Sequence, residues 1–283
     1  MGDRQKINWL AFIGYVKTSC VHTLVMTVRR YRSVMVAVLA LLPVLIPLAL
    51  ALLSDNRSGH DGLKVFSQMV RYMYIDVIVP VLSLFFACMV IGEDVESETI
   101  SYLMTRPIPR SALVLGKYGA FLIISVSIIV SSTALTFAAS TALSGLSFSG
   151  NHLTLLLEYI GVELLALIGY GAFCMLLGAM LKRPVVVGIA IIFGWQRVAT
   201  IVPGLIDFFT IKKYVYLLLN KVGGSQIAIT VKNTALADFQ KKEVLITATK
   251  SGMTLLLIAF VFLAVTTFVV RRREYTSARA LGG

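Results

Sequence analysis

The chain has 283 residues, of which 58% are hydrophobic and only 14% charged, and a formal net charge of +12. A soluble domain carries about 25% charged residues, so a water-surrounded globule is excluded, and a mean hydropathy of +0.86 spreads the apolar excess over the whole chain. The positive charge does not mark a nucleic-acid partner: the basic residues cluster at the ends of apolar runs, the pattern that orients membrane helices, and no basic–aromatic recognition motif accompanies them.

In lipid the backbone must satisfy its own hydrogen bonds, which leaves helices or closed barrels. The alternating segments of a membrane barrel are absent, so the expectation is an all-α polytopic membrane protein, one transmembrane domain over 1–283. Residues 1–32 come first. Trp9, Leu10, Ile13, Val21, Leu24, Val25 and Val28 lie among Lys6, Lys17, Arg29, Arg30 and Arg32. This mixture predicts an N-terminal amphipathic helix in the inner interface, with Trp9 and Tyr15 at headgroup level; a disordered lead-in is the other reading. No apolar centre of a cleavable signal is present.

The first span is expected at 34–53, twenty residues without a charge, enough to cross the hydrocarbon as a helix. Pro43 and Pro47 should kink it, with neighbouring helices satisfying the freed carbonyls. After a polar loop over 54–71, the second span is expected at 72–91, with Asp76 near its outer end and Pro80 inside.

The segment 92–117, GEDVESETISYLMTRPIPRSALVLGK, is the one long, strongly charged stretch between two such runs. Four acids open it: Glu93, Asp94, Glu96 and Glu98. A short helix is readable inside. Ser97 fits an N-cap, the acids suit the positive end of the helix dipole, and Arg106 stands at the far end. Pro107 and Pro109 stop it. Ile100, Leu103 and Met104 share one face at helical spacing. Such an element suits docking of a soluble partner; an ordinary cytoplasmic loop is the bland alternative.

The third span, 118–143, is rich in hydroxyls: Ser125, Ser127, Ser131, Ser132, Thr133, Thr136, Ser140 and Thr141. They allow close helix packing, or they line a substrate path. A short outer loop leads to the fourth span at 155–181, which carries Glu158 and Glu163 in its outer half. Carboxylates at membrane depth are costly unless protonated, paired or wetted. A spacing of five residues sets these two roughly 140° apart on an ideal helix, so they need not share a face. Lys182, Arg183 and Pro184 make a tight inner turn before the fifth span at 185–206. Arg197 is the most conspicuous charge inside any span. It either pairs with Glu158 or Glu163, snorkels, or lines an aqueous cavity on a translocation path.

Residues 207–250 form a basic extracytoplasmic segment. Its start, 208–219, reads as a short surface helix, and 227–231 and 244–247 have weak strand character. The sixth span, 251–270, is closed by Arg271, Arg272 and Arg273. With both termini cytoplasmic, the inner segments hold fifteen basic residues, the first two outer loops three and none, and the long last outer segment seven. Basic residues far from span ends weigh little, so six spans with both ends inside is the favoured topology.

Catalytic constellations are missing from the sequence. There is no G-x-x-x-x-G-K-[ST], since Gly116-Lys117 lacks the upstream glycine and the hydroxyl. His22, His60 and His152 make no H-E-x-x-H, and no G-x-S-x-G elbow occurs. Cys20, Cys88 and Cys174 have no metal-like spacing, and the last two read as packing residues. The chain is therefore not expected to be an enzyme or to hold a cofactor or metal of its own.

Glu93, Glu96, Thr99, Ile100, Leu103, Pro107, Arg110, Gly116 and Lys117 together resemble the first cytoplasmic loop of the type 2 ATP-binding-cassette (ABC) transporter permease family. Glu98 departs from it, because the family often has glycine before the threonine. The motif covers under a tenth of the chain, and the span layout extends the resemblance to nearly all of it. The resemblance implies the membrane subunit of an ABC exporter in a prokaryotic cytoplasmic membrane. It implies a coupling helix around Glu93, Asp94, Glu96, Glu98, Thr99, Ile100, Leu103 and Arg106 that docks on a separate ATPase subunit. Two ATPase copies would bind the ATP and magnesium, and a second copy of this permease or a similar one would complete the membrane part. A protein partner outside the membrane is left open. The rival reading is an ion-coupled secondary carrier or channel using Arg197, Glu158 and Glu163. Inverted repeats would support that reading, and the sequence displays no clear one.

Overall fold

A computed structural model describes residues 9–29, 31–53, 62–88, 90, 109–144, 150–181, 183–195, 211–222 and 248–272. Helix α1 is Trp9–Val28 and α2 is Tyr31–Leu53. The second apolar run is one long helix, α3, Gly62–Ala87. Helix α4 is Arg110–Ser144, α5 is Gly150–Met180, and α6 is Pro184–Ile189, continued by a wide turn over Ala190–Trp195. Helix α7 is Ile211–Val222 and α8 is Ala248–Arg272. Among the described residues no strand occurs, and five helices (α2, α3, α4, α5 and α8) are long and apolar enough to cross a membrane. The expected strand-like stretches 227–231 and 244–247 lie outside the described residues.

Several helices outrun their predicted spans. Helix α3 begins at Gly62, inside the expected polar loop, and α4 begins at Arg110, inside the expected 92–117 segment. Hydropathy marks only the part of a helix that matches the hydrocarbon; polar residues continue the same backbone ladder beyond it. The surface helix expected at 208–219 sits at Ile211–Val222.

Helices α4 and α5 are the axis of the bundle. Helices α1 and α2 lie against α4, α7 and α8 lie against α5, and α3 packs on both. Close approach depends on glycine at two crossings. A Cβ on Gly171 of α5 would fall 2.1 Å from Cε1 of Phe121 on α4. One on Gly178 would fall 2.9 Å from the carbonyl oxygen of Cys88 at the end of α3. Cys88 itself donates to the Cys174 carbonyl at 3.2 Å, so both thiols are buried packing groups, as expected.

Helix α3 is not a regular α-helix. It widens to π-type turns at Val70–Ile78 and Ser83–Ala87, flanking a short α segment that holds Pro80. Proline lacks the N–H that would continue the ladder, and π turns accommodate such breaks. At the end carrying Gly62, Phe66 meets Phe137 and Tyr159 edge-on, with ring centroids 5.2 and 5.5 Å apart, a favoured aromatic geometry. Helices α2 and α8 expose apolar faces, among them Leu42, Leu45, Met253, Leu257 and Phe260, which suits a hydrocarbon solvent and not water.

Candidate functional site

Three polar clusters punctuate this apolar bundle, and the first lies beside the segment 92–117. The residues expected to couple, Glu93, Asp94, Glu96, Glu98, Thr99, Ile100, Leu103 and Arg106, lie outside the described residues; the two edges of the segment that carries them, which form its base, do not. At one side of that base is Val90, at the end of α3. At the other is the start of α4, where the Pro109 carbonyl accepts from the amides of Ala112 at 2.9 Å and Leu113 at 3.3 Å. Pro109, read in sequence as a stop, thus also opens the next helix, whose first turn has orphan donors to satisfy. Lys117 is buried, and its Nζ donates to the Val90 carbonyl at 2.9 Å. A cation on the final carbonyls of a helix meets the negative end of its dipole. This bond ties the two edges of the base together.

Helix α1 closes on the same place. A Cβ on Gly116 would lie 2.7 Å from the Val16 carbonyl oxygen and 2.7 Å from Cβ of Ser19. Ser19 donates to the Leu113 carbonyl at 3.4 Å, and Gly119 faces Cys20. Burial pushes the Cys20 thiol pKa up. Ile13, Val21, Val25 and Val28 point away from the protein. The residues Gly116 and Lys117, which carried part of the family resemblance, therefore serve packing: glycine admits α1, and lysine caps α3.

The second cluster is inside the bundle. Thr133 of α4 donates to Oε2 of Glu163 on α5 at 2.8 Å. One turn away, the Tyr74 hydroxyl of α3 lies 2.6 Å from Ser132 Oγ and 2.7 Å from Thr136 Oγ1. Ser132 donates to the Ala40 carbonyl of α2 at 2.5 Å, and Thr136 donates back to Ser132 at 3.0 Å. The Ala40 carbonyl lies less than one turn before Pro43, so this hydroxyl ties α4 to α2 beside the first proline of that helix. Glu163 is wholly buried, and its Oε1 has no hydrogen-bond partner among the described residues. The hydroxyls of the third predicted span divide accordingly. Ser127 and Ser131 are exposed and bond back to their own helix, while Ser132, Thr133 and Thr136 face inward.

Glu158, the other acid of this span, is exposed. The two glutamates are not brought together, in keeping with their angular separation. Arg197 lies outside the described residues.

The third cluster joins α3 to α7. Lys212 Nζ sits 2.9 Å from Oδ1 of Asp76, a charge contact whose angles fall short of a hydrogen bond. Tyr216 donates to Oδ2 at 2.9 Å. The Arg71 guanidinium and the Lys212 ammonium lie 5.1 and 5.3 Å from the Tyr216 ring centre, within cation–π range. Burial first, and then the Asp76 carboxylate, holds the Tyr216 hydroxyl above its usual ionisation range. Sequence reasoning noted Asp76 but missed its partners, which lie about 140 positions away. The only available signal was an acid in an apolar run with surplus lysines far downstream. Tyr74 was missed too, because a tyrosine in a span reads as an ordinary aromatic.

No curated protein matches the chain. The family model described as ABC-2 family transporter protein matches residues 21–196, well over half of the chain. That match takes in helix α1 from Val21 onward, α2 to α5, the segment 92–117 and both edges of its base. On that match and on the helical architecture, the chain belongs to the ABC-2 family of transporter membrane proteins.

Proposed function

We propose that this permease is the membrane-spanning subunit of an ABC exporter and takes its energy from a separate ATPase chain. Six spans with both termini cytoplasmic would place 92–117 on the inner side, α1 in the inner interface and α7 on the outer surface. The observation that carries the reading is the base of the 92–117 segment: Lys117 fastens the end of α3 to the start of α4, and α1 seats on the same turn. A displacement of the coupling helix around Glu93 to Arg106 would then move three helices together. Two ATPase copies, each with its ATP and magnesium, would bind beneath two permease copies in a prokaryotic cytoplasmic membrane. Differential contact of the ATPase with two permease states is what would couple hydrolysis to movement. Glu163, Glu158 and Arg197 remain candidates for the translocation path or an intramembrane pair.

The test is co-purification and ATP-driven conformational change in the reconstituted complex. Glu93→Lys with Glu96→Lys, or Ile100→Pro, should leave the chain in the membrane but weaken ATPase association or abolish the ATP-dependent change. Unaltered association and response in both variants would contradict the proposal.

A further inference from the structure

The buried carboxyl of Glu163 is incompletely satisfied, and the protons around it are already committed. Thr133 gives its proton to Oε2, Ser132 gives its proton to the Ala40 carbonyl, and Thr136 gives its proton to the Ser132 carbonyl. Tyr74 has one proton, directed at Ser132 or Thr136. None is left for Oε1, which has no partner among the described residues although the residue is 0% exposed. Leaving a buried charged acceptor bare is costly, more so than for a neutral group. The ion pair found among the described residues, Lys212–Asp76, does not involve Glu163, whose described hydrogen bond comes from Thr133. No cluster of three His, Cys, Asp or Glu forms there or elsewhere among the described residues.

The geometry points to a binding site for one compact monovalent cation at Glu163, with Thr133 as its oxygen neighbour and Tyr74 close by. A single carboxylate neutralises a single positive charge, which matters most in a low-dielectric interior. A divalent ion wants six to eight oxygens with several carboxylates, or octahedral geometry with water, and the cluster offers one acid. The same chemistry serves a free sodium ion or the ammonium head of a larger solute, and both would enter from within the bundle because Glu163 has no exposed surface.

The probe is dicyclohexylcarbodiimide, which modifies protonated carboxyls in apolar surroundings, applied to the full chain in lipid nanodiscs and read by peptide mass spectrometry. Expected is labelling at Glu163 that is several-fold slower in sodium chloride or in methylammonium chloride than in N-methylglucamine chloride at equal ionic strength and pH. Protection by sodium identifies the free ion; protection by methylammonium alone identifies an amine-bearing solute. Thr133→Val should weaken the protection several-fold while Glu163 remains labelled. As a second reading, the same cation should raise the unfolding midpoint of the unmodified protein, and the rise should vanish in Glu163→Gln. Labelling that responds to pH but to neither cation, or no labelling at all, overturns the assignment. The test needs no ATPase, so its failure leaves the permease reading intact.

Discussion

Two attachments on the bundle, α1 at the base of 92–117 and α7 beside Asp76, are fastened by different physics. At the base of 92–117 the packing is close: Gly116 admits α1 to within contact of the Val16 carbonyl, and a buried lysine grips the Val90 carbonyl. Beside Asp76, midway along α3, α7 is held by part-exposed side chains, with Lys212 and Asp76 exposing 23% and 22% of theirs. Close packing is stiff and bistable, because interiors tolerate little change in volume. Ion pairs near water are weak and adjustable. The α1 attachment therefore resists displacement, while the α7 attachment can adjust.

The largest effect is expected where the packing is tightest. Gly116→Val must push α1 off α4, and overpacking of this kind costs about 1–3 kcal/mol; the unfolding midpoint in detergent or nanodiscs should drop accordingly, with Gly116→Ala between the variant and the unmodified protein. Next comes Lys117→Met, which bares the Val90 carbonyl at a cost of about 1–2 kcal/mol. Its more telling readout is ATP-driven movement of the spans, which should fall more than stability does and recover in Lys117→Arg. Inside the bundle, Thr133→Val removes the hydroxyl that donates to Glu163, for a loss of about 1 kcal/mol.

The smallest change belongs to the α7 attachment. Asp76→Asn should cost under about 1 kcal/mol, because the pair is partly solvated and screened. Its signature is salt: amide exchange in α7 should quicken with ionic strength in the unmodified protein and be insensitive to it in the variant. Tyr216 supplies a pH test. Its folded-state ionisation is raised above the ordinary value of 10.0, so the stability it lends is complete below that pH. It declines as the pH rises past it and the unfolded chain ionises first. Tyr216→Phe should flatten the alkaline side of the stability profile. An Asp76→Asn loss as large as that of Gly116→Val would erase the contrast between the two attachments.

Much of this was legible in the sequence because lipid imposes simple rules. Runs such as 34–53 and 251–270 reveal themselves by lacking charge, and the motif from Glu93 to Lys117 carries its family in the residues themselves. What stayed hidden depends on distance in the chain. Lys117 reads as a loop residue because a lysine beside an apolar run is usually a solvated end marker, and nothing local says that Val90 lies within its reach. The Asp76–Tyr216 contact joins two segments whose separation no periodicity encodes. Glu163 was visible as an oddity, and its difference from Glu158 followed from helical angle. Its donor, Thr133, could not be picked from eight hydroxyls on one span. Helix ends at Gly62 and Arg110 escaped because hydropathy measures the thickness of the lipid, not the length of the helix.

The most direct test of the account is the sidedness of the segment 92–117. A cysteine replacing Ser101, in a chain whose Cys20, Cys88 and Cys174 are changed to alanine, is labelled with a membrane-impermeant maleimide in oriented vesicles. Labelling in inside-out vesicles, slowed when the ATPase subunit is bound, is the predicted result. Labelling confined to right-side-out vesicles would place the docking element on the wrong face and contradict the account.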